Sequence, residues 1–567
     1  MSAAQATRPG TSGTAKSGPQ NAVGIKETIT SLIIAFMLAF LFRGFVIEGF
    51  VIPTGSMAPT LMGKHVRLNN PTNGYEWPVG PWNYSSGGIP LSTQNGIMTK
   101  YPMAGTNASQ LDGPLLSGDR VFVLKYLPML QTPKRWDVVV FKNPAKYENY
   151  IKRLVGLPGE QVILVDGDVF TRPDPKSPVP EYGWDAWQDA DWKVARKSER
   201  VQRAMFQEVF DSGYAPAEID PGYRSPFTGT TPGWEGVASS QSYQYTGSGA
   251  TSLAWNNTRP ITDANSYNAR MQANYGYSML TDSDAPRSAD HRGFNPFPVS
   301  DVSVALNIEA QDAPLRVSPV LEARGMEFRA VIDSTTKQVS VEMRDGGEGA
   351  NAWTTLESKA FAGFAPGDIH HVEFWHVDQA MWLFIDDELV CGGPEAGAYE
   401  LTPAQRAAAA TGMSWEELEL YPTGNGVTNV GVFAKPEIYR KPSFRWDFAG
   451  GAFTLHHVAV ERDIAYQVNR NRPTLGGHPG HFATLTGDEY FMCGDNSANS
   501  TDSRLWEPGS IDRWVEQEIN DRVGVVDKDL IVGRAFVVYF PAMHDGGIPI
   551  GKGRKIAPDF GRVRWIW

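Results

Sequence analysis

Gly49-Phe-Val-Ile-Pro-Thr-Gly-Ser-Met-Ala-Pro-Thr-Leu61 is the stretch from which the rest of the chain is read. Pro53 and Pro59 bracket Thr54-Gly55-Ser56. Two prolines this close exclude a helix interior and hold the residues before them extended. Ser56 is therefore expected on a constrained turn. A serine on a turn is by itself an ordinary linker feature and needs a base before it means anything. The candidate base is Lys152, in Tyr150-Ile-Lys-Arg-Leu-Val-Gly156. Tyr150, Ile151, Leu154 and Val155 read as a strand, whose successive side chains point to opposite faces. One of Lys152 and Arg153 is thus expected inside and the other in solvent. Arginine stays charged, whereas an ammonium in apolar surroundings can lose its proton and act as a general base. Lowering a lysine to roughly pH 7 to 8 costs on the order of 3 to 4 kcal/mol, which a folded domain can supply. Ser56 and Lys152 then read as nucleophile and base, although a buried strand lysine can equally be a paired structural one.

Three further segments follow in a fixed order: Gly118-Asp-Arg-Val-Phe-Val-Leu-Lys-Tyr126, Arg135-Trp-Asp-Val-Val-Val-Phe141 and Gly494-Asp-Asn-Ser-Ala-Asn-Ser-Thr-Asp-Ser-Arg504. With these, the chain resembles bacterial type I signal peptidases, membrane-bound Ser-Lys proteases that remove signal peptides. Ser497 departs from the pattern, which often has arginine there, and Thr54 stands where many relatives carry serine. The resemblance implies an antiparallel β catalytic domain that works without cofactor or metal on the signal peptides of exported preproteins. It implies Ser56 as nucleophile, Lys152 as base, and an oxyanion held by the Ser56 backbone N–H and the Thr54 hydroxyl. Ser500 would orient the lysine amine, Asp502 and Arg504 would brace their loop, and Asp495 would pair with Arg153. Phe50, Ile52, Met57, Leu61, Tyr150 and Ile151 would line shallow apolar pockets, hence an Ala-x-Ala preference before the cut. The resemblance covers the anchor segment, Phe50 to Leu61, Leu116 to Asp168 and Asp488 to Arg534, which is under half the chain.

A chain of 567 residues suggests three or four units. Its net charge of -12 argues against nucleic acid as a partner. Cys391 and Cys493 fall in segments assigned to different units and are expected as free thiols. Residues 1–24, rich in Ala, Gly, Ser, Thr and Pro, are expected to be disordered. Residues 25–47 are expected to form a transmembrane helix, almost uninterruptedly apolar from Ile29 to Phe42 with Arg43 snorkelling. No small-x-small cleavage site follows, so the segment reads as a retained anchor in membrane lipid. Arg8, Lys16 and Lys26 ahead of it place the tail in the cytoplasm. A single pass through the cytoplasmic membrane then leaves the catalytic domain on the outer side.

Residues 48–170 read as the first part of the catalytic β-domain, interrupted at 63–116. That interruption contains Asn70-Pro-Thr-Asn-Gly-Tyr75 and Tyr101-Pro-Met-Ala104, spaced like zinc knuckles but without thiolate or imidazole, so no zinc site is expected. A surface loop and a metal-free relic of a zinc ribbon both fit. Strands are expected at Arg120 to Lys125, Trp136 to Phe141, Tyr150 to Leu157 and Gln161 to Val165. Residues 171–480, where composition shifts to Pro, Trp, Asp and Gly, read as an inserted β-sandwich. Alternation marks Val302 to Ile308, Val339 to Met343 and Phe453 to Leu455, with further strands at Phe328 to Ile332, His371 to Val377, Met381 to Ile385 and Val430 to Phe433. Asp386-Asp387 reads as a tight turn, and Thr402 and Pro403 as N-cap and first residue of a helix reaching Leu420. The phrases Phe328-Arg-x-x-Ile-Asp and Trp382-Leu-Phe-Ile-Asp-Asp-Glu-Leu-Val390 resemble laminin-G or concanavalin-like jelly rolls. Neighbouring strand residues face opposite sides, so neither His370-His371 nor His456-His457 can chelate an ion with both rings. Glu416, Glu417 and Glu419 sit in a helical context rather than as the paired strand carboxylates of a glycosidase. The insertion is thus expected to be independently packed, non-hydrolytic, of unknown ligand, and to contribute nothing to the dyad or its bracing. Residues 481–567 complete the catalytic domain, ending in Arg562-Val-Arg-Trp-Ile-Trp567 as a terminal strand or interfacial anchor. Two other classes are weighed: a soluble self-cleaving repressor-type Ser-Lys protease, which the anchor disfavours, and a non-enzymatic surface protein binding through the sandwich.

Overall fold

The computed structural model describes residues 20–567 except 71, 81–96, 101, 104–106, 112–114, 126–131, 147, 175–182, 217–222, 224, 257–258, 269–295, 312–313, 347–351, 422–430, 470–473, 508 and 550–554. The expected disordered tail lies outside the described residues up to 19; residues 20–24 are already helical. The first element is the helix Gln20–Phe45. Its Gly24–Phe45 portion is long and apolar enough to cross a membrane. Phe36, Leu38 and Phe40 on it are exposed, covered by nothing else in the chain among the described residues.

Past this helix the molecule is mainly β. The strand Ile47–Val51 follows almost at once and pairs antiparallel with Arg120–Lys125. The sheet continues through Ile531–Phe540, Val138–Lys142, Asn149–Gly156, Glu489–Cys493 and Val526–Asp527, with Arg564–Trp565 added on Ile531–Phe540. A second sheet joins Lys193–Val194, Asp168–Pro173, Glu160–Val165 and Ala483–Thr484. The strand Asn149–Gly156 is interior to the first sheet, and apolar residues cover both its faces. Leu154 packs with Val139, Phe141, Met492 and the helix residue Val515, while Val155 packs against Val162 and Leu164 of the second sheet. Lys152 and Arg153 are consequently both buried, 3% and 0% exposed, which corrects the expectation that one would face solvent.

Between Gln207 and Arg462 the chain builds two large antiparallel sheets. In one, Phe453–Arg462, Val302–Ala310, Ile369–Val377 and Ala380–Ile385 are neighbours; in the other, Gly249–Trp255, Ser443–Gly450, Leu315–Ala323, Met326–Asp333 and Gln338–Asp345. Their inward residues, among them Leu306, Val317, Phe328, Trp446 and Leu455, form one core, as alternation on two facing sheets requires. Asp386 and Asp387 both take left-handed backbone, φ 51° and 66°, closing a two-residue connection. Thr402 accepts from the Gln405 N–H while the Gln405 side chain returns the bond, a complete capping box. The helical segment expected to reach Leu420 is two helices, Pro403–Thr411 and Trp415–Glu419, because Gly412 turns left-handed at φ 76°. At the expected strand Val430 to Phe433, Val430 lies outside the described residues and Val432–Ala434 is a 3-10 turn. Pro436, without an N–H, opens the next such turn and excludes a ladder there. His370, His371, His456 and His457 each take a different partner: Asp386, Asn307, Glu309 and Asp211.

In the 63–116 interruption, Val66–Asn69 and Glu76–Val79 form a hairpin burying Val66, Leu68, Trp77 and Val79. This is a small core, more than a surface loop. Pro71 of the first knuckle-like piece, and Tyr101 and Ala104 of the second, lie outside the described residues.

The sandwich does not hang on its two connections alone. Arg406, wholly buried, donates to Asp166 at 3.0 Å and Asp168 at 2.6 Å on the hairpin Glu160–Pro173. Arg324 bridges Asp166 at 2.6 Å and Asp301 at 2.5 Å, and Lys197 reaches Asp378 at 2.6 Å and Asp463 at 2.9 Å. The sandwich thus has its own core and is also tied by charge pairs to the hairpin, because a change of composition marks where sequence character changes, not where contacts stop.

Candidate active site

The turn carrying Ser56 is fixed from both sides. Ile52 N–H donates to Asp119 O at 2.9 Å, Ala58 N–H to Gly55 O at 3.0 Å and Leu61 N–H to Met57 O at 2.8 Å. Met57, Ala58 and Leu61 are fully buried and hold the turn down from within. Opposite it, Val138–Lys142 and Glu489–Cys493 flank the lysine strand, with Val139 paired to Lys152. This brings Lys152 Nζ to 2.6 Å from Ser56 Oγ and 3.1 Å from Ile151 O, above the Tyr150 ring. Burial pulls the Lys152 pKa down to about 8; Asp502 and Asp495 oppose the shift and Arg504 adds to it. The ammonium is therefore poised to lose its proton near neutrality.

Arg153, on the other face, is held by Asp495 through two bonds of 2.8 and 2.6 Å and by the carbonyl oxygens of Trp136 and Trp567, each at 2.8 Å. Asp495 also accepts from Thr60 Oγ1 at 2.6 Å, so the charge pair reaches back to the serine turn. Asp502 takes Arg504 in a fork, both bonds 2.9 Å, and accepts the Gly494 N–H at 2.8 Å. Burial alone would raise the Asp502 pKa; Arg504 outweighs it and holds the carboxyl below its ordinary range. Ser500 is buried beside this loop with its hydroxyl toward Asp502, and among the described residues Lys152 Nζ bonds Ser56 and Ile151 rather than Ser500. A Cβ on Gly494 would overlap Ser500 Oγ and come within 2.5 Å of the Ser56 carbonyl oxygen, so only glycine fits.

Thr54 is exposed, and its hydroxyl has no partner among the described residues. The Ser56 N–H donates to no carbonyl there either. Ile52, Met57, Leu61 and Ile151 share one apolar cluster, with Phe50 packed on it. Tyr150 packs into a different cluster, alongside Phe141, because it is one residue from Ile151 on the strand. Thr60, Asn496, which bonds this turn, and Asn268, which bonds Asn496, had not been singled out. Asn496 stands inside the Gly494 to Arg504 segment, whereas Asn268 carried no sequence signal.

Among the described residues, the group able to hold a metal ion is Asp168, Asp301, Asp378 and Asp463, with ligand oxygens within 4.8 Å of one another. Lys197, Arg324 and Arg406 already bond these carboxylates, so the protein's own cations take the places an ion would need.

A family model described as signal peptidase, peptidase S26, matches residues 25–78, 89–207 and 456–540. Signal peptidase I of Rickettsia bellii strain OSU 85-389 is 30% identical over 141 residues, 25% of this chain and 37% of the relative. That of Rickettsia typhi is 31% identical over 147 residues, 26% and 43% of the two chains. That of Buchnera aphidicola subsp. Schizaphis graminum is 29% identical over 137 residues, 24% and 30%. The matches thus span less than half the length of these relatives. Among solved structures, the carbohydrate-binding module CBM66 from Bacillus subtilis aligns with 42% of this chain and 96% of its own, at 10% identity and a TM-score of 0.21. A likeness this slight says nothing about what the sandwich binds.

Proposed function

We propose that this chain, whose matched segments are those of the signal peptidase S26 family, is a membrane-anchored serine endopeptidase that removes signal peptides from exported preproteins. The observation that carries the reading is the 2.6 Å approach of a buried Lys152 amine to Ser56 Oγ. In its neutral form Lys152 accepts the hydroxyl proton as Ser56 Oγ attacks the scissile carbonyl, and later returns a proton to the leaving amine. The Ser56 N–H and the Thr54 hydroxyl stabilise the oxyanion. Water then attacks the acyl-enzyme, Lys152 again taking the proton, and Ser56 is released. Small apolar side chains before the cut lie against Phe50 and Ile151, with Ile52, Met57 and Leu61 packed beneath them. Gln20–Phe45 crosses the cytoplasmic membrane once, with the serine turn just beyond its outer surface. The sandwich between Gln207 and Arg462 adds a surface whose ligand is unassigned. Incubating the purified protein with a preprotein and reading the product termini by mass spectrometry tests this: a single cut after a small residue is expected, and an intact preprotein would overturn it.

The lysine sets the pH dependence. With its pKa at about 8, kcat/KM should rise about tenfold per pH unit on the acid side and level off above that value. A rise that begins only near the ordinary lysine value would mean that Lys152 is not desolvated. Between about 8 and the ordinary 10.5, the unfolded chain binds the proton and the native one does not. Native stability therefore grows with pH across that window, and lacks about 3 kcal/mol below it.

Gly494→Ala tests the close approach beneath the nucleophile. A methyl group 2.5 Å from Ser56 O must displace the turn, and roughly a hundredfold loss of kcat is expected with the fold retained. Unchanged cleavage kinetics in the folded variant would show that the turn tolerates the shift.

A further inference from the structure

Ser56 sits on a turn whose two carbonyls are both tied to Asn496. Asn496 Nδ2 donates to Gly55 O at 2.9 Å, and Asn496 N–H donates to Ser56 O at 3.0 Å. A side-chain amide has two orientations differing by a half-turn, and only one aims Nδ2 at Gly55 O. What selects it is Asn268, 2% exposed and 228 residues distant in the chain. Asn268 Nδ2 donates to Asn496 Oδ1 at 2.7 Å, and Asn268 Oδ1 accepts from Asn496 Nδ2 at 3.0 Å and from Asn499 Nδ2 at 3.3 Å. With the Asn496 amide reversed, donor would face donor and acceptor face acceptor.

Asn268 does not reach this place by accident of a long side chain. The segment before it is anchored at its base, where Asp263 N–H donates to Phe297 O at 2.9 Å and Asp263 Oδ1 accepts from Phe297 N–H at 2.7 Å. Its tip is seated on the serine loop: Asn265 Nδ2 donates to Ala58 O at 3.4 Å, Tyr267 OH donates to Lys64 O at 2.6 Å, and the Tyr267 ring packs on Ala58 and Met62. Asp263, Asn265, Tyr267, Asn268 and Phe297 all lie between 208 and 455, outside the family match.

We infer that the insertion is a working part of the peptidase, with Asn268 as a positioning residue that orients the Asn496 amide and through it holds the Ser56 turn for attack. This rests on the peptidase reading. It also assigns the insertion a role in the chemistry besides any ligand its sandwich takes. A turn held less firmly loses attack geometry first, since Phe50, Ile52 and Ile151, which lie outside it, are untouched.

The test uses the full chain in detergent. Asn268→Ala should lower kcat by roughly ten- to hundredfold at nearly constant KM, with the melting temperature little changed. Asn268→Ala combined with Asn496→Ala should be no worse than Asn496→Ala alone, because the first acts through the second. Hydrogen exchange at the Ala58 and Asn496 amides, which bond within this turn, should accelerate in Asn268→Ala. If the wild type cleaves and Asn268→Ala cleaves equally fast, or the two substitutions multiply, the inference is overturned and the peptidase reading stands. If the wild type cleaves nothing, the peptidase reading falls, and exchange decides this one: lost protection in Asn268→Ala supports the brace, unchanged protection overturns it.

Discussion

Ser56→Ala and Lys152→Met each reduce cleavage of a signal-peptide substrate by at least about 10⁴-fold, and the double variant is no slower than either single one. The reason is that the two side chains perform one step. A serine hydroxyl is a poor nucleophile until its proton has somewhere to go, and the amine 2.6 Å away is the acceptor the structure supplies. Lys152→Met keeps a long, unbranched side chain in the same buried space and removes only the amine, so the fold is retained. The comparison carries a second signature. Below about pH 8 the wild type bears a buried ammonium that methionine does not, so its stability relative to the variant should improve as pH climbs toward 10.5. Residual activity of Lys152→Met within tenfold of the wild type would remove lysine from the mechanism. A stability difference that stays constant over that range would show that its pKa is ordinary.

The second large effect is expected at Arg153 and Asp495. Neither side chain has any exposed surface, and each answers the other's charge through two bonds. Arg153→Met leaves a buried carboxylate bonded only to Thr60, and Asp495→Leu leaves a buried guanidinium facing two carbonyls. Each single change is expected to cost about 3 to 5 kcal/mol, because an unpaired charge stays in a low-dielectric interior. The double variant should recover most of that loss, since an apolar pair of similar volume carries no desolvation penalty. Activity should not recover with it: Thr60 Oγ1 loses its acceptor whenever Asp495 is gone, and the serine turn loses that tie. Denaturant unfolding and cleavage rates measured on all three variants separate the two effects. Equal midpoints for the wild type and Arg153→Met would mean that water or a neighbour compensates the charge. Recovery of activity in the double variant would show that Thr60 does not matter to the turn.

Much of the chemistry could be read from local sequence because few residue types can do it. A serine between two prolines and a lysine on an apolar strand restrict each other's roles without any coordinates. The sandwich strands, the Asp386-Asp387 turn and the Thr402 cap were likewise open to reading. Alternation, a two-residue acidic connection and a capping box are all written within a few positions, on the scale at which backbone geometry is decided. The misread Val430 to Phe433 segment shows the limit of such reading: a short apolar run looks the same whether or not a partner strand exists to pair with it.

What sequence alone determined, then, was each element's own preference: an apolar helix of membrane length, alternating strands, a constrained serine and a lysine that could be neutral. Only the tertiary structure decided what lies against each of them. Lys152 and Arg153 are both interior because a helix and a second sheet cover the two faces of their strand, and strand periodicity specifies faces but not what covers them. The insertion is bound to the catalytic part through Arg406 and Arg324, although composition suggested a separable unit. Asn268 meets Asn496 across 228 positions, and a contact of that separation leaves no periodicity, spacing or composition in either segment. Local sequence sets the conformations a segment can adopt at low energy, while burial and hydrogen-bond satisfaction depend on which distant segments arrive to complete it.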